Sequence, residues 1–492
     1  MHCSVIITGD IVKMQTAGAM KEKFVRMVKA VDLLSLPVSG TLALGLVYGL
    51  LPMLAFLGLK IGFAEDMATK LTAQSVLYSV IGIICFVWGA FGRGTMPKSG
   101  GETPSIVWAD WNNQSRVLLV CVTLFVAGFG SKVVHVLTGD YLLHKYLGPV
   151  HGPFLIKYII SLNVFHTLAL AVACCFYYRL KKVRDPCACL WQKIVIGLSV
   201  FEIVCALLTR GSRLAIVIPV AIILLSRHYL YRRNNRLALI VGFVVIAVLF
   251  PVKNFLRYPA IAYNEYFAAN HGQDGLFVPD KEMDGVDILY YGIDEFLGRE
   301  GEFTRARATV PIGDAVIRFA ADSSLGRLAQ AHVFALIVTN TNDYLHGRGF
   351  LHILSHFGAS RDFVERISGV IPGDELWVRY GLVGLNKDGT PTASITPTIM
   401  GDLYINFGLA GIVLGMFLVG VFVRRVYEFV EKEATPPRVF LYAMLWIFVL
   451  RGFEQSVATV VAQSIKEALV VLVVSAAIIA PVRKLFTRSA VR

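Results

Sequence analysis

Residues 191–230 read WQKIVIGLSVFEIVCALLTRGSRLAIVIPVAIILLSRHYL: two apolar runs joined only by Thr209-Arg210-Gly211-Ser212-Arg213. Each run has the roughly 20 residues an α-helix needs to cross a hydrocarbon core of about 30 Å. Inside lipid a backbone of that length must satisfy its own hydrogen bonds, so each run is expected to be a helix. The pattern repeats on both sides. Further spans are read at about 38–59, 73–92, 117–138, 154–178 and 237–256, and then at about 400–423, 438–457 and 464–482. With the pair at 191–209 and 212–230 this predicts an all-α polytopic membrane protein of about ten transmembrane helices.

The loops set the orientation. With the N-terminus inside, alternate loops collect Arg93, Lys98 and Arg116, then Arg179, Lys181, Lys182 and Arg184, then Arg227, Arg232, Arg233 and Arg236. Arg424, Arg425, Lys432 and Arg438 follow, and Arg483, Lys484, Arg488 and Arg492 close the chain. The short loops between these sets carry far fewer, so both termini are expected in the cytoplasm. Residues 1–256 then form an N-terminal membrane bundle of about seven helices and 400–492 a C-terminal bundle of about three. Residues 257–399 form a long extracytoplasmic region. It contains apolar pieces, Val333–Val338 and Phe350–Leu354, expected as short helices over the outer mouth of the bundle. No cleavable signal peptide is read at the N-terminus, and the basic stretch Lys21–Lys29 is expected on the inner membrane surface.

Composition agrees. Of 492 residues 56% are apolar and 16% charged, against about 25% charged in an ordinary soluble domain; the mean hydropathy is +0.63. The net charge of +13 sits in short basic clusters between apolar runs, which speaks against nucleic acid as a partner. The eight cysteines all precede residue 206 and lie in spans or cytoplasmic segments, so reduced thiols are expected.

Arg210 and Arg213 defy the inside-positive pattern, since they lie at the outer ends of two spans. Charge at that depth is costly unless paired or functional. Two guanidiniums on a Gly-Ser turn suit an anionic group such as a diphosphate; the plain alternatives are snorkelling to the interface or pairing with Glu202, two helical turns away. Arg451, late in the ninth span, Arg257, just past the seventh, and Lys466 are expected on the same side and could complete an electropositive pocket. In Asp343–Phe350, His346 is a candidate base and Arg348 a candidate phosphate or sugar ligand. Asp402 falls in the first turns of the eighth span. It either favours the positive end of that helix or faces a cavity and orients a sugar hydroxyl. Gly408, Gly411, Gly415 and Gly420 are read as continuing this helix and letting neighbours approach closely. The acidic run Asp280, Glu282, Asp284 and Asp287 is read as solvated loop, and no metal site is expected.

Two of these stretches resemble one family. Thr209-Arg-Gly-Ser-Arg213 opens an apolar helix as the Gly-Ser-Arg motif does in bacterial oligosaccharide repeat-unit polymerases of the Wzy type. His346-Gly-Arg-Gly-Phe350, then Ile371-Pro372 and Gly401-Asp-Leu-Tyr-Ile-Asn-Phe-Gly408-Leu-Ala-Gly411, are similar to a later part of the same family. That family usually has a glutamate where this chain has Asp402. The resemblance implies a glycosyltransferase-C-like fold in the bacterial inner membrane and a substrate of undecaprenyl-diphosphate-linked oligosaccharide. It implies inverting transfer of the growing glycan at the periplasmic face, with no nucleotide sugar and no cofactor, and a chain-length regulator protein as a further partner. Arg210, Arg213 and Arg451 would then stabilise the diphosphate leaving group, and Asp402 or His346 would serve the acceptor hydroxyl. Three other readings stay open: an O-antigen ligase using lipid A-core as acceptor, a lipid-linked oligosaccharide flippase or other transporter, and a non-catalytic partner of a glycan export machine. The absence of a visible internal repeat weighs against the flippase.

Overall fold

The computed structural model describes residues 32–56, 71–92, 114–137, 164–208, 214–231, 331–357, 361–369, 397–432, 436–452 and 456–474, with isolated positions at 238–249 and 359. Among these residues the chain is helical and contains no strand. Helix α1 (Leu36–Gly45) continues through a π turn (Leu46–Leu50) into α2 (Leu51–Phe56). Then come α3 (Ala73–Phe91), α4 (Gln114–Leu137), α5 (Val164–Val183), α6 (Ala188–Leu208) and α7 (Leu214–Leu230). From the long region between the two bundles come α8 (Ala331–Asn340), a 3-10 turn (Arg348–His352), α9 (Ile353–His356) and α10 (Arg361–Ser368). The chain closes with α11 (Ile399–Lys432), α12 (Pro436–Gly452) and α13 (Val457–Val474).

Five of these helices are long and apolar enough to cross a membrane: Leu36–Met53, Ala73–Phe91, Gln114–Val134, Ala188–Leu207 and Ile399–Glu431. Their outward faces carry large apolar side chains: Trp88 is 66% exposed, Val126 60% and Leu414 64%. A protein in water rarely exposes such continuous apolar surface; lipid covers it at no cost. The chain is a polytopic membrane protein.

Two packing centres organise the bundle. The first is α5, buried from His166 to Tyr178 and wrapped by α4, α6, α7 and α12. A helix that is apolar all round is stable only inside such a collar. The second is the crossing of α3 with α11, the most extensive helix pair among the described residues. A β-carbon on Gly89 would lie 2.1 Å from the Phe417 carbonyl oxygen, and one on Gly420 would lie 2.3 Å from that of Phe86. The two backbones touch, as small residues permit between membrane helices. The chain before α1 is fastened to the bundle as well. Asp32 Oδ1 accepts the Leu34 and Ser35 N–H groups at 3.1 Å each and lies 2.8 Å from His228 Nε2 of α7. Tyr442 Oη of α12 accepts the Leu36 N–H at 2.7 Å.

The structure departs from the sequence expectation in four places. The helix expected at 154–178 is described from Val164 and runs on to Val183. The last helix begins at Val457, not near 464, so Lys466 sits in its interior. The apolar piece Val333–Val338 is not a peripheral cover: α8 packs against both α3 and α11, and Phe334 is fully buried with its ring edge-on to Tyr48 and Tyr404. Finally, Gly408 does not continue its helix. Its φ of 63° and ψ of −149° fall in a region open essentially to glycine alone, so α11 is a short arm, 399–407, broken from a long arm, 409–432. The arms fold together: a β-carbon on Gly411 would lie 2.2 Å from the Leu403 carbonyl, and one on Gly415 2.3 Å from the Leu403 side chain. Of the four glycines read as close-approach positions, Gly420 meets a neighbouring helix, whereas Gly411 and Gly415 meet the arm that precedes them.

Candidate functional site

The short arm of α11 starts with Thr398, whose Oγ1 accepts the Gly401 N–H at 3.0 Å and whose carbonyl accepts that of Asp402 at 2.8 Å. This places Asp402 in the first turn, 8% exposed. Both carboxylate oxygens are engaged. Oδ2 accepts the Val457 N–H at 2.8 Å, and Oδ1 accepts Asn406 Nδ2 at 3.2 Å. The Ala458 N–H also points at this carboxylate. Asp402 therefore caps the N-terminus of α13, where unpaired N–H groups and the helix dipole favour an anion.

Asn406, one turn on, is fully buried. Its Nδ2 donates to the Asp402 carbonyl at 2.9 Å, and its Oδ1 accepts the Gly349 N–H at 3.0 Å. The break at Gly408 leaves the last carbonyls of the short arm without intrahelical donors, and the Leu345 N–H takes that of Ile405 at 3.0 Å. Two hydrogen bonds thus pin the segment 345–349 along the short arm. The fit is close: a β-carbon on Gly349 would lie 2.8 Å from Asn406 Oδ1, and one on Gly347 would lie 2.9 Å from the Phe407 ring.

The pinned segment turns sharply. His346 has φ of 50° and Gly347 φ of 85°, which reverses the chain and leaves the His346 side chain exposed. Arg348, also exposed, donates its Nε to the Leu345 carbonyl at 3.2 Å. That bond orients the guanidinium, whose Nη1 would lie 3.4 Å from a β-carbon on Gly369, at the end of α10. Aromatic rings surround the unit. Tyr344 stands edge-on to Tyr404 at 5.8 Å, Tyr78 of α3 lies 5.7 Å from Tyr404, and Phe350 lies 5.7 Å from Phe407. Tyr344 remains 38% exposed, and the Tyr78 hydroxyl accepts Gln74 Nε2 at 2.9 Å.

The structure thus brings His346, Arg348 and Asp402 together on one framework. Arg210, Arg213, Arg257 and the acidic run 280–287 lie outside the described residues. Arg451 lies on the last turn of α12, and its side chain is likewise outside what is described. Lys466 Nζ sits 5.7 Å from the centre of the Phe357 ring, tying α13 to the segment after α9. Among the described residues no group of three or more His, Cys, Asp or Glu side chains has a metal-binding arrangement.

Sequence reading passed over two features. Asn406 stands four residues from Asp402, on the same helix face, and that spacing was the available signal. His166 and Glu202 lie in separate apolar runs, and the structure pairs them: His166 Nδ1 bonds Glu202 Oε1, both at most 5% exposed. Glu202 is therefore bound to α5 through His166.

Residues 330–461 match the family described as "Putative O-antigen polymerase". No curated protein and no solved structure shows significant similarity to the chain. The match runs from the start of α8 to the first turns of α13. It contains both the 346–350 stretch and the 401–411 stretch, and it supports the resemblance to Wzy-type O-antigen polymerases. Thr209–Arg213 lies outside it. With the five membrane helices, the family indicates a glycosyltransferase-like membrane enzyme of polysaccharide biosynthesis whose substrate is a lipid-linked oligosaccharide.

Proposed function

We propose that this chain, whose residues 330–461 carry the pattern of the O-antigen polymerase family, joins undecaprenyl-diphosphate-linked repeat units at the periplasmic face of the inner membrane. The observation that carries the reading is the Asp402–Asn406–Gly349 bracket. It fixes a histidine and an arginine from a loop at the end of the membrane helices, inside the matched region.

In this reaction an acceptor hydroxyl attacks the anomeric carbon of the donor glycan. The bond from that carbon to the diphosphate oxygen breaks with inversion, and the electron pair leaves with the diphosphate. His346, exposed on its fixed turn, accepts the hydroxyl proton. Arg210, Arg213, Arg257, Arg348 and Arg451 bind the diphosphate and stabilise the charge that grows on it, in place of a metal ion. Asp402 is a positioning residue in this scheme, because both its oxygens are engaged in holding α13 and Asn406. Tyr344 offers a ring face to the repeat unit. Both termini are cytoplasmic, the segment 257–399 lies on the periplasmic side and recognises the repeat unit, and a chain-length regulator binds the assembled enzyme.

The test is deletion of the gene in its host, with complementation by wild type, Arg213→Ala, His346→Ala or Asp402→Asn at matched membrane levels. The surface glycan is then run on a gel. The expected result is a single repeat unit on core after deletion, a ladder restored by wild type, and no ladder with Arg213→Ala or His346→Ala. Long polymer retained on the lipid diphosphate and absent from core would instead identify a ligase.

A further inference from the structure

The chain that follows the pinned turn forms a small hairpin beside α13. The Arg348–His352 turn and α9 pack against α13, and α10 packs back on both. The hairpin backbone bonds to itself: the Phe350 N–H donates to the Gly347 carbonyl at 3.0 Å, and the Phe357 and Ala359 N–H groups donate to that of Leu354 at 3.0 and 3.1 Å. Its stretch from Gly349 to Ser360 contains no Asp, Glu, Lys or Arg. At its base α10 ends on Gly369, beside the Arg348 guanidinium. The inner face of α10 is Val364 and Ser368, both buried. Its outer face is Phe363 and Ile367, 51% and 43% exposed, with Arg366 exposed beside them. Phe357, just past α9, is 47% exposed and holds the Lys466 ammonium of α13 against its ring.

We propose that this hairpin is an interfacial anchor: Phe357, Phe363 and Ile367 sink into the acyl boundary of the leaflet next to the bracket, while Arg366 and Lys466 reach its headgroups. Three observations select bilayer lipid as the occupant. The first is continuity. Lys466, which touches Phe357, shares α13 with Ile465 and Leu469, large apolar side chains that are exposed like Leu414 and Leu418 of the membrane-crossing α11. The hairpin thus extends a surface that lipid already covers. The second is chemistry: a short helix whose outer face mixes large apolar side chains with arginine lies in an interface, its rings in the acyl layer and its charge at the headgroups. The third is size. The three side chains together offer roughly 300 Å², on the scale of 150–250 Å² for one buried aromatic ring, well short of the ~800 Å² per partner of a stable protein interface. Because Gly369 closes the hairpin against Arg348, the depth of α10 in the leaflet sets the depth of that guanidinium, at the level of the lipid phosphates. That a lipid diphosphate meets Arg348 there rests on the function proposed above; the anchoring does not.

The experiment uses the full chain in nanodiscs of phosphatidylethanolamine and phosphatidylglycerol, doped with phosphatidylethanolamine that carries a diazirine in one acyl chain. Labelled residues are read by mass spectrometry after illumination. Label is expected on Phe357, Phe363 and Ile367 as well as on Leu414 and Ile465, and not on the exposed Asp343. In a Phe363→Asp, Ile367→Asp variant, altered at two exposed positions, label on Phe357 falls by about tenfold or more, because the hairpin loses the apolar area that holds it in the leaflet. A Phe363→Leu, Ile367→Val variant keeps the label. Label on Leu414 and Ile465 with none on 357–367, or full Phe357 label in the acidic variant, overturns the proposal. Crosslinks between copies of the chain through Phe357 or Phe363, in place of lipid label, overturn it in favour of a second copy as occupant. Hairpin label in a chain that makes no polymer in cells upholds this inference and removes the polymerase reading; polymer without hairpin label does the reverse.

Discussion

Asn406 and Gly349 are joined by a 3.0 Å hydrogen bond across 57 residues of sequence. This bond links the loop that carries His346 and Arg348 to the arm that carries Asp402. Asn406→Leu leaves the Gly349 N–H buried without a partner, at a cost of about 1–3 kcal/mol. We expect a lower thermal midpoint in detergent and loss of the glycan ladder at normal membrane levels. A ladder of wild-type length from this variant would show that the loop does not need its anchor.

Asp402 separates positioning from proton transfer. Asp402→Asn keeps an acceptor for the Val457 N–H, whereas Asp402→Ala removes it and uncovers the start of α13, worth about 0.5–2 kcal/mol for a helix cap. The expected order of polymer yield is wild type, then Asn, then Ala. Equal and complete inactivity of both variants, with both proteins folded, would return the base role to Asp402.

Gly408→Ala forces a β-carbon into a backbone region that excludes it, a strain of about 1–3 kcal/mol, and places it 2.9 Å from the Tyr344 ring. A fall in thermal midpoint larger than that of Ala substitution at exposed Gly130, where nothing lies within 4 Å, is the outcome to look for. Gly130 sits within α4, where alanine is the better helix former.

His166 and Glu202 form a buried pair, with Thr167 Oγ1 also 3.1 Å from His166 Nδ1. Removing one partner breaks a buried hydrogen bond between polar groups, at a cost of about 1–3 kcal/mol. Glu202→Leu and His166→Leu are each expected to lower membrane yield strongly, and the double variant to lower it less than the two losses combined. Simple additivity in a double-mutant cycle on thermal stability would show that the two side chains do not act as a pair.

Much of the architecture is legible because lipid imposes a length. Each described membrane helix falls on an apolar run that the sequence shows directly, and the five-residue join at Thr209–Arg213 correctly separates α6 from α7. The break at Gly408 is not legible, because glycines at 408, 411, 415 and 420 look alike as spacers. Only the backbone conformation separates a hinge from a contact. Nor is the start of α13 legible. Ser456 is its local cap, with Oγ accepting the Thr459 N–H at 3.2 Å, but a lone serine after Glu454-Gln455 does not outweigh the apolar run read from 464, and the second capping group, Asp402, belongs to another helix. The site was half readable: His346, Arg348 and Asp402 stand out by chemistry, whereas Asn406, which assembles them, is an amide inside an apolar helix.

The contact of Gly89 with the Phe417 carbonyl has a consequence for biosynthesis. Helix α3 is made early, yet its widest partner, α11, is among the last elements to leave the ribosome. Until then the Gly89 face of α3 has no protein against it and must wait in lipid or under a chaperone. Truncated chains that end before α11 would therefore stay open along this seam, and a membrane protease that surveys unpaired helices would find them there.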